Sequence, residues 1–219
     1  MLYKRYIKRL LDIFLSVIAL IVLSIPMLIV ALLVRIKIGS PVLFRQKRIG
    51  KDEKEFMLLK FRTMLELRDE NGVYLPDTER ITKFGRFLRT TSIDELPSLI
   101  NIIKGDMSII GPRPLPARYL NRYNERQHRR HEVRPGLSSP SVVQGRNLLS
   151  WEDQFEQDVQ YVEGISFWMD LKSIFKTVSI VFSGKGATSD DGDARCEFIG
   201  IADINDLKDP ENNYMKLHK

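Results

Sequence analysis

The hydropathy pattern is dominated by its beginning. No charged residue occurs from Ile13 to Val34. A helix over that stretch covers roughly 33 Å at 1.5 Å per residue, enough for a bilayer core. Pro26 falls near its middle, with Ser24 just before it. Proline removes a backbone donor and clashes with the preceding turn, so the pattern predicts a kink there, with the Ser24 hydroxyl serving the freed carbonyls. Shorter elements follow. Residues 42–47 and 55–63 read as two strands joined by a polar stretch containing Gly50, Lys51 and Asp52, which predicts a hairpin. Residues 66–79 read as an exposed loop. Over 80–90, Ile81, Phe84, Phe87 and Leu88 share one helical face, with Arg80, Lys83, Arg86 and Arg89 mostly on the other. Leu96, Leu99, Ile100 and Ile103 then repeat at helical spacing until Gly105. GPRP at 111–114 forbids regular structure.

Residues 115–132 read as helical and very basic, and a loop runs from Arg134 to about Ser150. Helices are predicted over 151–163 and 166–183. The second carries Phe167, Leu171, Ile174, Phe175, Val178 and Phe182 along one stripe, until Gly184 and Gly186 stop it. The remainder is polar and Asp-rich, a loosely ordered tail with a docking segment expected around Phe198 and Ile199. No internal repeat is found. The sum is a mainly α fold with a small β-hairpin (α+β). It divides into a hairpin-like apolar segment (1–38), a compact body (39–185) and a polar tail (186–219).

Charge changes the reading of the first segment. Lys4, Arg5, Lys8 and Arg9 precede it, and Arg35, Lys37, Arg45, Lys47, Arg48 and Lys51 follow it. Cations favour the cytoplasmic side, so both ends are pulled to the same side. A helix-break-helix that dips into the membrane and returns satisfies this; a straight span, the competing reading, does not. A cleaved signal peptide is disfavoured, because the apolar stretch is long and no small-x-small site follows. The 219-residue chain has a formal net charge of +6 and a pI near 9.4. Such a balance suits nucleic acid, an anionic membrane surface or phosphorylated substrates. The cations cluster near the apolar segment and no aromatic-basic RNA motif occurs, so nucleic acid ranks last. Cys196 is the single cysteine, which excludes an internal disulfide framework.

Candidate chemistry centres on TSIDELPSLI (91–100). Ser92 and Glu95 fit an S-x-x-E capping box. Pro97 argues against it, since proline is comfortable only in the first turn of a helix. The helix is therefore expected to begin two or three residues later, with Asp94 and Glu95 projecting from its mouth. Paired carboxylates can hold Mg²⁺ against phosphate oxygens, and one can attack phosphorus. Such chemistry needs cations, and Lys60, Arg62, Arg89 and Arg113 are candidates, the last framed by two prolines. His128 and His131 stand at i, i+3 but lack a third ligand, so a basic surface is preferred to a metal there.

LFRQKRIG (43–50), KFRTM (60–64), TSIDELPSLINIIKGDMSIIGPRP (91–114), RPG (134–136) and GRN (145–147) resemble the bacterial sugar transferases. Residues 1 to about 183 are most similar to the small monotopic phosphoglycosyl transferases. The resemblance implies a re-entrant membrane helix broken at the Ser24/Pro26 site and interfacial amphipathic helices around a cytosolic catalytic domain at the bacterial inner membrane. It implies Asp94 as nucleophile on the β-phosphate of a UDP-sugar, and Glu95 as its partner acid in placing Mg²⁺. Arg113 becomes a phosphate contact, Lys60 and Asp170 match positions implicated in activity, and Arg146 is a supporting residue. The phosphosugar would pass to polyprenyl (undecaprenyl) phosphate. An N-acetylated hexosamine derivative is the expected sugar, and a homodimer is left open. Larger relatives add a multi-span membrane domain before this core, and none is expected here. Two departures stand out. Ile25 separates Ser24 from Pro26, and LSSPSVVQ (137–144) replaces a run like ITGLAQVN. The alternative function is a non-enzymatic adaptor whose basic helices bind anionic lipid.

Overall fold

The computed structural model describes residues 2–140, 150–183 and 198. Helix α1 (Lys8–Val22) is preceded by a π-helical turn over Tyr3–Ile7 and followed by α2 (Ser24–Lys37). The two helices are bent by 65°. The break falls at Leu23 (φ −91°, ψ 4°), in the turn preceding Pro26, where a proline kink is expected. Pro26 is the third residue of α2, and in that first turn its missing N–H costs no intrahelical bond. Ser24 Oγ donates to Ile21 O at 2.8 Å, so the hydroxyl serves a carbonyl at the break. Among the described residues no single helix is long and apolar enough to cross a membrane, though the bent pair is by length and composition.

Polar contacts fix this hairpin to the body. Arg9 donates to Ile102 O (2.6 Å) and Ile103 O (3.0 Å). Asp12 is buried and accepts from Ser108 Oγ (2.7 Å) and Ile109 N (3.0 Å). Lys4 donates to Val162 O at 3.0 Å. Lys8 donates to Asp170 Oδ2 at 2.6 Å, so three cations of the basic flank (Lys4, Lys8, Arg9) are contacts with the rest of the chain. The far end of α2 is held by packing, since Val34 and Ile38 share a buried cluster with Phe61 and Leu88. Both ends of the hairpin therefore meet the same body. Between them Ile21, Val22, Ile25, Leu28 and Leu32 are exposed.

Strands β1 (Leu43–Ile49) and β2 (Glu55–Phe61) form the expected antiparallel hairpin, with Phe44 opposite Lys60 and Arg48 opposite Phe56. The basic segment folds as a single helical turn (Asp77–Arg80) and then α3 (Lys83–Thr90). It begins later than the periodicity suggested because Thr82 caps it, accepting from Gly85 N at 2.8 Å. Leu88 is fully buried, whereas Phe87 is exposed. Helix α4 (Ser98–Lys104) ends as expected at Gly105, whose φ of +101° suits glycine. Its buried face is Ser98, Leu99, Asn101 and Ile102; of the predicted Leu96/Leu99/Ile100/Ile103 stripe only Leu99 is buried. The two polar members explain the rotation. Asn101 Nδ2 donates to Met57 O (2.8 Å), its Oδ1 accepts from Leu59 N (3.1 Å), and Ser98 Oγ donates to Leu59 O (2.7 Å). These side chains satisfy the edge of β2 that β1 leaves open.

Residues 115–132 are not one helix. They form a 3₁₀ stretch (Ala117–Arg122), a helical turn (Glu125–His128) and a second 3₁₀ stretch (Arg129–Glu132). A capping box between Asn124 and Gln127 restarts the chain in the middle. A parallel pair that periodicity did not reveal joins β3 (Ser108–Ile110) to β4 (Gly136–Ser138). Helices α5 (Trp151–Gly164) and α6 (Phe167–Ser183) match expectation. The α6 stripe points outward: Phe167, Phe175 and Val178 are exposed, while Asp170 and Ser173 are buried. Phe198 docks as expected, into an aromatic cluster with Tyr119, Tyr123 and Phe155, and its carbonyl accepts from Arg122 at 2.6 Å.

Candidate functional site

The acidic pair sits on a strained turn. Ser92 adopts a left-handed conformation (φ 57°, ψ 16°) and makes no side-chain cap. That conformation costs a non-glycine residue on the order of 1 kcal/mol. A 3₁₀ turn over Ile93–Glu95 follows, and α4 starts only after Pro97. The capping box is therefore not formed, as Pro97 foretold, and the acids precede the helix.

Asp94 is 7% exposed. Among the described residues its carboxylate has neither hydrogen bond nor ion pair. Burial pushes its pKa up to about 6; Glu95 adds to this, and Lys60, Arg89 and Arg113 oppose it. It is mostly ionised at neutral pH, with cations nearby but none attached. Glu95 is held instead. Lys60 Nζ donates to its Oε1 at 2.6 Å, and Arg113 Nη2 lies 3.9 Å from the same oxygen. Arg89 Nε donates to Thr63 Oγ1 at 3.0 Å.

Arg113 is aimed by its backbone. Gly136 N donates to Pro112 O (2.9 Å), and Arg130 Nη2 donates to Arg113 O (2.7 Å). The glycines of GPRP and RPG are required here: a Cβ on Gly111 would meet Arg134 O at 2.4 Å, and one on Gly136 would meet Gly111 N at 2.2 Å. Arg130 is itself locked to Asp158 (2.7 Å), both side chains almost wholly buried.

Two expected site residues are placed elsewhere. The strand ends at Phe61, and the turn that follows sends the Arg62 guanidinium to Ser40 O and to Met64 O (3.0 Å), with Glu66 at 3.4 Å. Arg62 is thus a buried clasp, not a phosphate donor. Asp170 accepts from Tyr3 Oη, Lys8 Nζ and Tyr161 Oη, each at 2.6 Å. It ties the N-terminus to α5 and α6 and supports the site only through that packing. Arg146, residues 141–144 of the atypical loop, Ile199 and all the tail except Phe198 lie outside the described residues. His128 Nδ1 pairs with Glu53 at 2.5 Å, and His131 Nδ1 lies 3.3 Å from Gly50 O.

A cleft of about 440 Å³ opens beside Glu95, lined by Lys60, Arg113, Ser98 and Arg48, with Leu58, Met107 and Leu115 as an apolar wall. Arg48 is a site residue the sequence reading passed over as flank charge. The signal was available in the hairpin register, which sets Arg48 and Lys60 on one face, since directly opposed residues face the same way. Among the described residues no three His, Cys, Asp or Glu side chains gather into a metal cage. Mg²⁺ bound with phosphate needs only one or two protein carboxylates, the rest being phosphate oxygens and water, and Asp94 with Glu95 fits that need.

Fold and site thus define a cationic cleft beside a buried carboxylate, Asp94, that has no partner among the described residues, borne on a body with an apolar hairpin. A family model for the bacterial sugar transferases matches residues 3–184. An uncharacterized sugar transferase of Bacillus subtilis (strain 168), EpsL, is 46% identical over 198 residues, covering 90% of this chain and 98% of that one. The UDP-N-acetylgalactosamine-undecaprenyl-phosphate N-acetylgalactosaminephosphotransferase of Aeromonas hydrophila is 36% identical, covering 83% of this chain and 45% of its own length. The UDP-glucose:undecaprenyl-phosphate glucose-1-phosphate transferase of Escherichia coli (strain K12) is 37% identical, over 84% of this chain and 42% of its own. The chain spans less than half the length of these two. It belongs to the bacterial sugar transferase family, a family of enzymes, and the adaptor alternative falls.

Proposed function

We propose that the protein is a phosphoglycosyl transferase that moves a sugar phosphate from a UDP-sugar to undecaprenyl phosphate. The observation that carries this reading is the Asp94 carboxylate: buried, without a partner among the described residues, and under the influence of Lys60, Arg89 and Arg113. The names of the Aeromonas and Escherichia relatives supply the substrate class.

Asp94 Oδ attacks the β-phosphorus of the UDP-sugar. The new O–P bond forms as the bond from phosphorus to the bridging oxygen breaks, and the electron pair leaves with UMP. A phosphate oxygen of undecaprenyl phosphate then attacks the same phosphorus and returns Asp94 as a carboxylate. Lys60 and Arg113 offset charge on the transferring phosphoryl group, and Lys60 also orients Glu95. Mg²⁺, held by Asp94 and Glu95, would neutralise phosphate charge when bound. The exposed apolar faces of α1, α2 and α6, with Phe87 of α3, suit the hairpin to a membrane from one side, which puts the cleft where a lipid phosphate and a soluble nucleotide both reach it. By the charge of its flanks that side is the cytoplasmic face of the bacterial inner membrane.

The test is a screen of UDP-sugars with undecaprenyl phosphate and Mg²⁺, reading UMP release, followed by intact mass after UDP-sugar alone. A phosphosugar adduct on the wild type that vanishes in Asp94→Asn is expected. UMP release undiminished by Asp94→Asn would sink the assignment.

A further inference from the structure

Among the described residues Arg48 forms no ion pair. Its guanidinium lines the cleft with Lys60, Glu95 and Arg113. One terminal nitrogen donates to Gln46 Oε1 at 2.5 Å, a neutral acceptor. Its Nε is buried and has no hydrogen-bond partner among the described residues. A buried donor left unsatisfied costs about 1–3 kcal/mol, and more when the group is charged. A group so placed is poised for an anionic acceptor brought by a ligand.

The arrangement of charges says which anion. Arg48, Lys60, Glu95 and Arg113 line the cleft, whereas Asp94 and Arg89 are not among its lining residues. Asp94 therefore stands at the Glu95 edge of the cleft, and Arg48 is a cation of the cleft itself. In phosphoryl transfer the leaving oxygen lies opposite the attacking one. A diphosphate that presents one phosphorus to Asp94 must extend its other phosphate away from it, into the cleft.

Resting on the transferase reading, we propose that Arg48 holds the nucleotide-side phosphate of the UDP-sugar, the phosphate that departs as UMP, with the part of its guanidinium that lines the cleft. Arg113 bridges the two phosphates. The lipid phosphate, which must enter opposite the bond from phosphorus to Asp94, takes the place that UMP leaves and meets Arg48 there.

The experiment measures equilibrium binding of UMP and of uridine to the full chain in nanodiscs, together with the KM for undecaprenyl phosphate. For Arg48→Gln the expected result is UMP binding at least about tenfold weaker, uridine binding unchanged, and a raised KM for undecaprenyl phosphate. Arg48→Lys, which keeps charge but lacks the guanidinium, also binds UMP more weakly and is the variant read if Arg48→Gln does not fold. Wild-type UMP affinity in either folded variant overturns the assignment, as does an effect confined to undecaprenyl phosphate. If the wild type neither binds UMP nor releases it from any UDP-sugar, the transferase reading itself fails. UMP release by the wild type with unaltered UMP binding in the variants removes only the role of Arg48.

Discussion

Asp94 and Asp158 are both buried aspartates, and their surroundings are opposite. Asp158 is fully enclosed, and the Arg130 guanidinium closes on its Oδ2 at 2.7 and 3.2 Å. Arg130 also reaches Arg113 O and Tyr123 Oη. Asp94 has cations around it and none bonded to it. A buried charge that is paired belongs to the architecture. A buried charge held at a distance from its counter-ions is available to a ligand, and its desolvation raises its energy in the resting state.

The largest expected effect separates the two in turnover. Asp94→Asn lowers UMP release by about 10⁴-fold, more than 5 kcal/mol in the barrier, with the fold intact. Comparable loss from an Asp158→Asn variant shown to be folded would blur the distinction between them. Next comes stability. Asp158→Asn leaves Arg130 buried without its charge partner and lowers unfolding free energy by about 3–5 kcal/mol in urea titration. Arg130→Met with Asp158→Leu recovers much of that, because no lone charge remains. If the double variant were as unstable as the single one, the ion pair would not be the source of the loss.

A third substitution works between the two extremes. Lys60 and Glu95 form a half-buried pair with side chains 21% exposed, so its contribution to stability is small. Lys60→Met lowers turnover by about 10²-fold, since it frees Glu95 and removes a cation from the phosphate path, while the melting temperature moves little. A large fall in melting temperature with unchanged turnover reverses that assignment.

How far the sequence foretold this contrast depends on the range of the interaction. The turn at Pro97, the stop at Gly105 and the β1–β2 hairpin follow from local backbone rules and were legible. So was the position of the acidic pair ahead of its helix, because Pro97 forbids an earlier start. The contacts of Arg62 and Asp170 were not legible because their partners are distant in sequence or carried by backbone: Ser40 O for one, Tyr3 and Lys8 for the other. Neither Arg130 nor Asp158 was singled out, since residues 28 apart in sequence declare no pairing before the fold brings them together. The three-residue strands β3 and β4 are too short to show alternation. Asn124 broke the predicted basic helix by a capping choice that periodicity does not weigh.

The smallest effect is the most diagnostic, because it reverses the usual sign. The Asp94 pKa is raised by burial from 3.8 to about 6. Between those values the folded chain holds more of this proton than the unfolded chain does, so stability falls as pH rises through the window. Above about pH 6 the ionised carboxylate carries its full desolvation cost, with a ceiling near 3 kcal/mol for roughly two pH units. Asparagine has nearly the same shape and no charge. Measured without divalent cations, Asp94→Asn is expected to be more stable than wild type by about 1–2 kcal/mol at pH 7.5, with the gain shrinking toward zero near pH 4. Added Mg²⁺ would narrow the gap by stabilising the wild type alone. A variant less stable than wild type at pH 7.5, or a difference independent of pH, would mean that Asp94 is a structural charge like Asp158.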